Sequence, residues 1–273
     1  MSAGRIFITG GASGLGLAIA RRYARAGWRV CIGDVHEARG AEAERALTEL
    51  HALEALFLRC DVTQESDLQA VADELVRRWG GVDVVVNNAG VACAGRIEDV
   101  SLDDWIWILD INLLGVVRGC RVFTPIFKRQ GSGHFVNTAS MAGLLDVPLM
   151  SSYNATKAAV VSLSETLHNE LADAGIGVTV VCPSFFRTNL HESTRTDDPG
   201  LRAMLSRLLD SSDLSADDIA DQILRAVAAR QFYLLPHVKG RRTWRLKRLL
   251  PRNTYTALAR KGFAFLQRSA AKG

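Results

Sequence analysis

Tyr153 and Lys157 stand four positions apart in SSYNATK (151–157), inside a segment whose apolar spacing reads as a helix. Residues at i and i+4 share a helix face, so a phenol and an ammonium can meet one ligand from one surface. A phenol with an ordinary pKa of about 10 is a poor base near neutral pH, and a nearby cation favours its phenolate. The pair is either a proton-transfer device tuned by lysine or an ordinary exposed couple, and spacing alone leaves both open.

A second group of residues could hold a coenzyme for such a device. TGGASGLG (9–16) places Gly10, Ser13, Gly14, Leu15 and Gly16 between an apolar run and an amphipathic segment. Glycine lets a ligand approach the backbone, and the free amides of a helix start attract a pyrophosphate. Alone, such a turn is as compatible with plain structure as with nucleotide binding. The next apolar run ends in CIGD, with Asp34 18 residues beyond Gly16, near the roughly 20-residue spacing at which an acidic side chain meets an adenosine ribose. A carboxylate there accepts from both ribose hydroxyls and repels a 2′-phosphate, and Val35 beside it brings no cation. NAD is therefore expected in preference to NADP. Two alternatives stay open: Asp34 closing a turn, and Arg39 reaching a phosphate from the following helix.

The elements that must position these groups can be read from hydrophobic period. Short continuous apolar runs recur at 5–9, 29–33, 55–59, 83–87, 134–138, 177–182 and 232–235. Continuous rather than alternating runs suit strands covered on both faces. Between them, apolar spacings of three and four mark helices near 14–26, 37–50, 64–79, 101–129 and 152–173. Another starts near Ser215, whose hydroxyl can cap SADDIADQ. The alternation implies an α/β fold, a parallel sheet wrapped by helices, in one domain over 1–236. CDV (60–62) closes the third strand and NNAG (87–90) the fourth. Asp61, Val62, Asn88, Ala89 and Gly90 thus lie at carboxyl ends of parallel strands, where open α/β sheets bind ligands. Asp61 suits an adenine amino group, Asn88 suits bracing the sheet as well as flanking a cofactor, and Asn87 suits structure.

Composition bounds the class. With 273 residues, 48% hydrophobic and 23% charged, the chain has the profile of a folded globular protein and not of a disordered one. Its five cysteines are odd in number, widely spaced and without a Cys-x-x-Cys pair, which argues against a disulfide framework and against a cysteine-based metal site. No metal is expected. Buried thiols in a reducing compartment, no secretion-signal pattern and no long uncharged apolar run together predict a cytoplasmic protein. The net charge of +4 hides an asymmetry: the last 52 positions hold 13 Lys and Arg and no acid, leaving the first 221 with a net of −9.

The motifs together resemble the short-chain dehydrogenase/reductase family. TGxxxGxG (Thr9 to Gly16), NNAG, Asn112, Ser140 and Tyr-x-x-x-Lys occur in order, with 13 residues from Ser140 to Tyr153, and the resemblance spans about residues 4–235. It implies a Rossmann-like, doubly wound sheet of about seven parallel strands in three α/β/α layers, and an NAD(P)-dependent alcohol dehydrogenase or ketone reductase. Tyr153 would remove the alcohol proton as hydride passes to nicotinamide. Ser140 would orient the same oxygen, Lys157 would tune Tyr153 and hold the nicotinamide ribose, and Asn112 would hold a helix bend and a water that feeds protons to the lysine. CPSFFRT (182–188) resembles the family's Pro-Gly-x-Val-x-Thr segment, with Ser184 in place of Gly and Phe186 in place of Val. Pro183, Phe186 and Thr188 would border the nicotinamide carboxamide, the bulk of Phe186 narrowing the pocket. A homodimer or homotetramer is implied, joined through helices 101–129 and 152–173.

The segments expected to shape the substrate pocket, GVACAG (90–95), MAGLLDVPLM (141–150) and SFFRTNLHES (184–193), are mostly apolar. They favour a hydrophobic, lipid- or steroid-like secondary alcohol or ketone as the small-molecule substrate. Asp146 and His191 either bind substrate or face water, and Cys93 either borders the pocket or packs. Residues 237–273 form a basic, helical extension divided by Pro251, with Leu246, Leu249 and Leu250 on one side and a Tyr255, Leu258, Phe265, Leu266 stripe beyond. An apolar face under a basic one can dock on the acidic body, on a second subunit, or peripherally on an anionic membrane. No recognition module accompanies the charge, so nucleic acid is not expected. The competing functional reading is a membrane-associated cofactor-binding scaffold with vestigial catalysis.

Overall fold

The computed structural model describes residues 4–210 and 212–271. The first half runs β1 (Arg5–Thr9), α1 (Gly14–Arg25), β2 (Arg29–Asp34), α2 (Glu37–Glu49), β3 (Glu54–Arg59), α3 (Glu65–Trp79) and β4 (Val84–Asn87). A short strand β5 (Ala92–Cys93) precedes α4 (Leu102–Leu109), which passes through a π-helical turn (Asp110–Leu114) into α5 (Gly115–Gln130). Next come β6 (Gly133–Thr138), the one-turn α6 (Ala142–Leu145), α7 (Ser151–Glu170) and β7 (Ile176–Val181). The chain continues with β8 (Thr194–Arg195), α8 (Pro199–Asp210), α9 (Ala216–Ala228), β9 (Tyr233–Leu234), α10 (Val238–Leu249) and α11 (Arg252–Ala271).

Seven strands form one sheet in the order β3-β2-β1-β4-β6-β7-β9, every neighbouring pair parallel. The expected seven-stranded parallel sheet is therefore present, and successive residues explain its continuous apolar strands. Ile6, Ile8, Val84 and Val86 bury one face under α1, α2 and α9, while Phe7, Val85, Phe135 and Val178 bury the other under α3, α5 and α7. Each such side chain removed from water contributes about 1.5–3 kcal/mol. A separate parallel pair, β5 with β8, ties the segment after β4 to the segment after β7.

Helix ends follow their local chemistry. Ser215 accepts from the Asp218 amide while the Asp218 carboxylate accepts from the Ser215 amide, a reciprocal cap on α9. α8 was not expected from apolar spacing; the Asp198 carboxylate starts it by accepting from the Gly200 and Leu201 amides. The segment expected as one helix over 101–129 is broken by the π turn.

The C-terminal extension docks on the body. Gly240 of α10 lies against Met141, and Trp244 stacks on Tyr233 with ring centroids 5.3 Å apart. Lys247 pairs with Asp146 and donates to the Leu144 carbonyl. Just before α10, His237 Nδ1 accepts from the Ser184 amide at 3.1 Å. The expected one-sided leucine stripe divides: Leu246 and Leu249 are exposed, while Leu250 turns toward a cavity beneath α11. The side chains of Phe265 and Leu266 lie outside the described residues. Among the described residues, no helix is long and apolar enough to cross a membrane.

Candidate active site

The carboxyl ends of β1 and β4 are laced together by Thr9. Its hydroxyl accepts from the amides of Asn88 at 2.9 Å and Ala89 at 3.1 Å. The Asn88 carboxamide donates in return to the carbonyls of Thr9 at 3.1 Å and Gly10 at 3.3 Å. This packing dictates the glycines. Gly10 has φ +62°, and a Cβ there would lie 2.9 Å from Ala89 Cα; a Cβ on Gly16 would lie 2.1 Å from the Gly10 carbonyl oxygen. Ser13 sits at the start of α1 without a side-chain cap, so its own hydroxyl leaves the first-turn amides to a pyrophosphate. The cradle fits a dinucleotide.

A cleft of about 430 Å³ opens over these strand ends. Gly10, Ser13, Gly14 and Leu15 line it along the turn, Asp34 and Asp61 at one end, and Val62, Asn88, Ala89 and Gly90 along the middle. Tyr153 and Lys157 line it from α7, and Pro183, Phe186 and Thr188 from the segment after β7. Asp34 is fixed by accepting from the Ala12 amide on Oδ2 and the His36 amide on Oδ1, both at 3.1 Å. Each oxygen keeps further accepting capacity. Asp61 accepts from the Thr63 amide and hydroxyl, both on Oδ1.

Tyr153 and Lys157 are both buried, 8% and 4% exposed, which removes the exposed-couple alternative. Lys157 Nζ donates to the Thr138 carbonyl at 2.9 Å and lies 5.7 Å from the centre of the Tyr153 ring. Burial pulls the Lys157 ammonium down from 10.5 to about 8. Burial also raises the Tyr153 phenol above its ordinary value, and the neighbouring Ser140 hydroxyl works against that rise. Ser140 itself accepts from the Ala142 amide at 3.1 Å.

Asn112 is fully buried in the π turn. Its carboxamide pairs with one residue twice, accepting from the Val91 amide at 2.8 Å and donating to the Val91 carbonyl at 2.9 Å. A Cβ on Gly90 would come within 3.1 Å of Asn112 Oδ1 and 3.5 Å of Lys157 Nζ, so Gly90 permits the approach of both. Gly16 packs against Gly10 and Asn112 against Gly90, behind residues of the cleft wall, while Ser140 neighbours the Tyr153 phenol. Asn87 is turned away from the cleft, donating to Asn137 at 2.9 Å.

The pocket-bordering expectations resolve individually. Phe186 lies on the cleft wall yet is packed into the core with residues of α1 and α9. Cys93 is buried in an apolar cluster with Tyr153, Met150 and Leu205, Asp146 is engaged by Lys247, and the His191 side chain lies outside the described residues. Glu192, in a 3-10 turn (Asn189–Ser193), fell within the expected pocket segment 184–193 but was not singled out, because no motif marks it. Its carboxylate binds the Arg39 guanidinium at 2.8 Å, and both residues line the cleft beside Asp34. Among the described residues, no group of three His, Cys, Asp or Glu is arranged to hold a metal.

Comparison with known proteins adds an independent finding. The family model described as short chain dehydrogenase matches residues 5–199. The 3-alpha-(or 20-beta)-hydroxysteroid dehydrogenase of Mycobacterium tuberculosis is 35% identical over 181 residues, covering 66% of this chain and 68% of that protein. A short-chain dehydrogenase/reductase from Burkholderia phymatum, solved in complex with NAD, superposes with a TM-score of 0.85 at 36% identity, over 90% of this chain and 93% of that one. A short-chain dehydrogenase from Sphingobium yanoikuyae in complex with NADPH gives 0.73 at 28% identity, over 87% and 90% of the two chains.

Proposed function

The chain belongs to the short-chain dehydrogenase family and is a nicotinamide-dependent oxidoreductase of CH–OH groups, and on that premise we propose that Tyr153 is its proton-transfer group, NAD its preferred coenzyme and an apolar secondary alcohol or ketone its substrate. The observation that carries this reading is the burial of Tyr153 and Lys157, one helical turn apart, on the wall of a cleft whose far end holds Asp34.

The nicotinamide ring, when bound, supplies the hydride acceptor or donor. Tyr153 takes the proton of the substrate hydroxyl in oxidation and returns it in reduction. Ser140 donates to the same oxygen and orients it. Lys157 is held by the Thr138 carbonyl, from where its ammonium favours a phenolate on Tyr153 during turnover and reaches toward the nicotinamide ribose. Asn112 acts through the Val91 backbone and keeps the segment after NNAG in place; it is a positioning residue, beside which a water can pass protons to Lys157. The amides around Gly10 to Gly16 hold the pyrophosphate, Asp61 and Val62 flank the adenine, and Pro183, Phe186 and Thr188 border the carboxamide.

NAD is favoured because Asp34 presents a fixed carboxylate where a 2′-phosphate would sit, and because the nearby cation, Arg39, is engaged by Glu192. The apolar cluster around Tyr153, formed with Met150, Leu201 and Leu205, supports a hydrophobic substrate. The M. tuberculosis relative, a hydroxysteroid dehydrogenase by name, agrees with that class. We assign residues 1–236 to the catalytic domain and the rest to an appended helical wall, in a cytoplasmic homo-oligomer.

Initial rates of reduced-coenzyme formation over a panel of secondary alcohols, each with NAD and NADP, test this reading. Wild-type protein is expected to turn over with NAD preferred, and Tyr153→Phe to lose about 10²–10⁴-fold in kcat. Full activity in Tyr153→Phe would overturn the assignment, and equal use of both coenzymes would overturn the role of Asp34.

A further inference from the structure

A second cavity, of about 1150 Å³, shares no lining residue with the coenzyme cleft. Its inner wall is Met150, Phe185, Leu201 and Leu205, and all four pack in the apolar cluster that contains Tyr153. Its outer wall is the C-terminal extension: Leu250 and Tyr255 face it, and Arg252 and Arg260 line it from α11. Its volume exceeds the roughly 300–1,000 Å³ typical of small-molecule sites.

The charges on this cavity are unevenly used. Asp146 is taken by Lys247, which also donates to the Leu144 carbonyl. Arg252 and Arg260 have no carboxylate within ion-pairing distance among the described residues. An apolar chamber whose inner wall belongs to the cluster that holds Tyr153, and whose α11 wall carries two exposed, uncompensated guanidiniums, has the polarity of an amphipathic anion. Guanidinium binds carboxylate or phosphate through paired donors, and the apolar wall between favours a hydrocarbon body.

We propose that the substrate is an elongated apolar alcohol or ketone that carries an anionic group remote from the reacting carbon, and that Arg252 and Arg260 of α11 bind that anion. This rests on the dehydrogenase reading above and narrows its substrate class. The extension is then part of the substrate site, and its basic character serves recognition.

The full-length protein is assayed with NAD on a long-chain carboxylic acid bearing a mid-chain secondary hydroxyl, on its methyl ester, on an equally long hydroxylated phosphate monoester, and on a short neutral secondary alcohol. The acid or the phosphate ester is expected to have a KM at least tenfold below that of the methyl ester, and the better of the two identifies the anion. Arg252→Gln/Arg260→Gln is expected to raise the KM of the anion roughly tenfold, far more than that of the ester, with little change in kcat. Arg241→Gln/Arg242→Gln removes the same charge from exposed positions of α10 outside the cavity wall and is expected to leave the preference intact. Thermal melts confirm that both variants fold. Equal KM values for anion and ester in the wild type, or an equal effect of the two double substitutions, overturn the proposal. Turnover of the short alcohol under either of those outcomes leaves the dehydrogenase reading standing, and no turnover of any of the four compounds overturns that reading instead.

Discussion

At the scale of single residues, Lys157 is held where water would not leave it. The displacement of its pKa from 10.5 to about 8 corresponds to about 3 kcal/mol of destabilisation at pH 7. The sign follows from proton counts: between pH 8 and 10.5 the unfolded chain holds more of this proton than the folded one, so wild-type stability rises with pH across that window. Lys157→Met in the coenzyme-free protein is therefore expected to unfold at higher urea concentration than wild type at pH 7. Its advantage should shrink by about 2 kcal/mol at pH 9.5, while turnover is lost at both. An advantage that stays constant between the two pH values would show that burial of the charge is not its source. The motif pair at 153 and 157 was legible in the sequence because both partners lie on one helical turn. The Arg39–Glu192 bridge, which joins positions 153 residues apart, had no local signal to reveal it.

At the scale of elements, β6 and β7 carry a buried titratable contact between them. Thr179 donates its one hydroxyl proton to the Gln231 carbonyl at 2.7 Å, so it accepts from His134, whose Nε2 lies 2.8 Å away and must carry hydrogen. Burial lowers the His134 pKa from 6.5 to about 4. The stabilisation of this neutral imidazole is complete above pH 6.5 and is lost as pH falls through 4, a loss of about 3 kcal/mol over the window. His134→Gln keeps a donor for Thr179 without the titration, so the stability gap between the variant and wild type should move by 2 to 3 kcal/mol, from about pH 7 to pH 4.5, in favour of the variant; urea midpoints at the two values measure it. The strands themselves were readable as continuous apolar runs because helices cover both faces of the sheet. The π turn left no mark in the apolar period, since one extra residue within a long amphipathic helix leaves the spacing on either side intact, and only the resemblance pointed to a helix bend at Asn112. α8 was missed because its start depends on Asp198 and not on apolar period.

At the scale of the whole molecule, α4, the loop before it and the π turn after it expose large apolar side chains. Leu102 is 80% exposed, Ile97 and Ile106 65% each and Leu114 43%, a patch suited to a second copy of the chain. Light scattering is expected to report a homo-oligomer for the wild type and a smaller species for Ile106→Glu; a monomeric wild type would refute an assembly through this face. The order of building also matters. Every residue that lines the coenzyme cleft lies at or before Ser193, whereas the outer wall of the larger cavity is contributed by Thr243 and the residues that follow it. The coenzyme-lining residues therefore all precede α10 and α11 along the chain. Cleavage after Pro236 removes the outer wall of the larger chamber and none of the coenzyme-lining residues, so a single cut separates coenzyme binding from substrate retention.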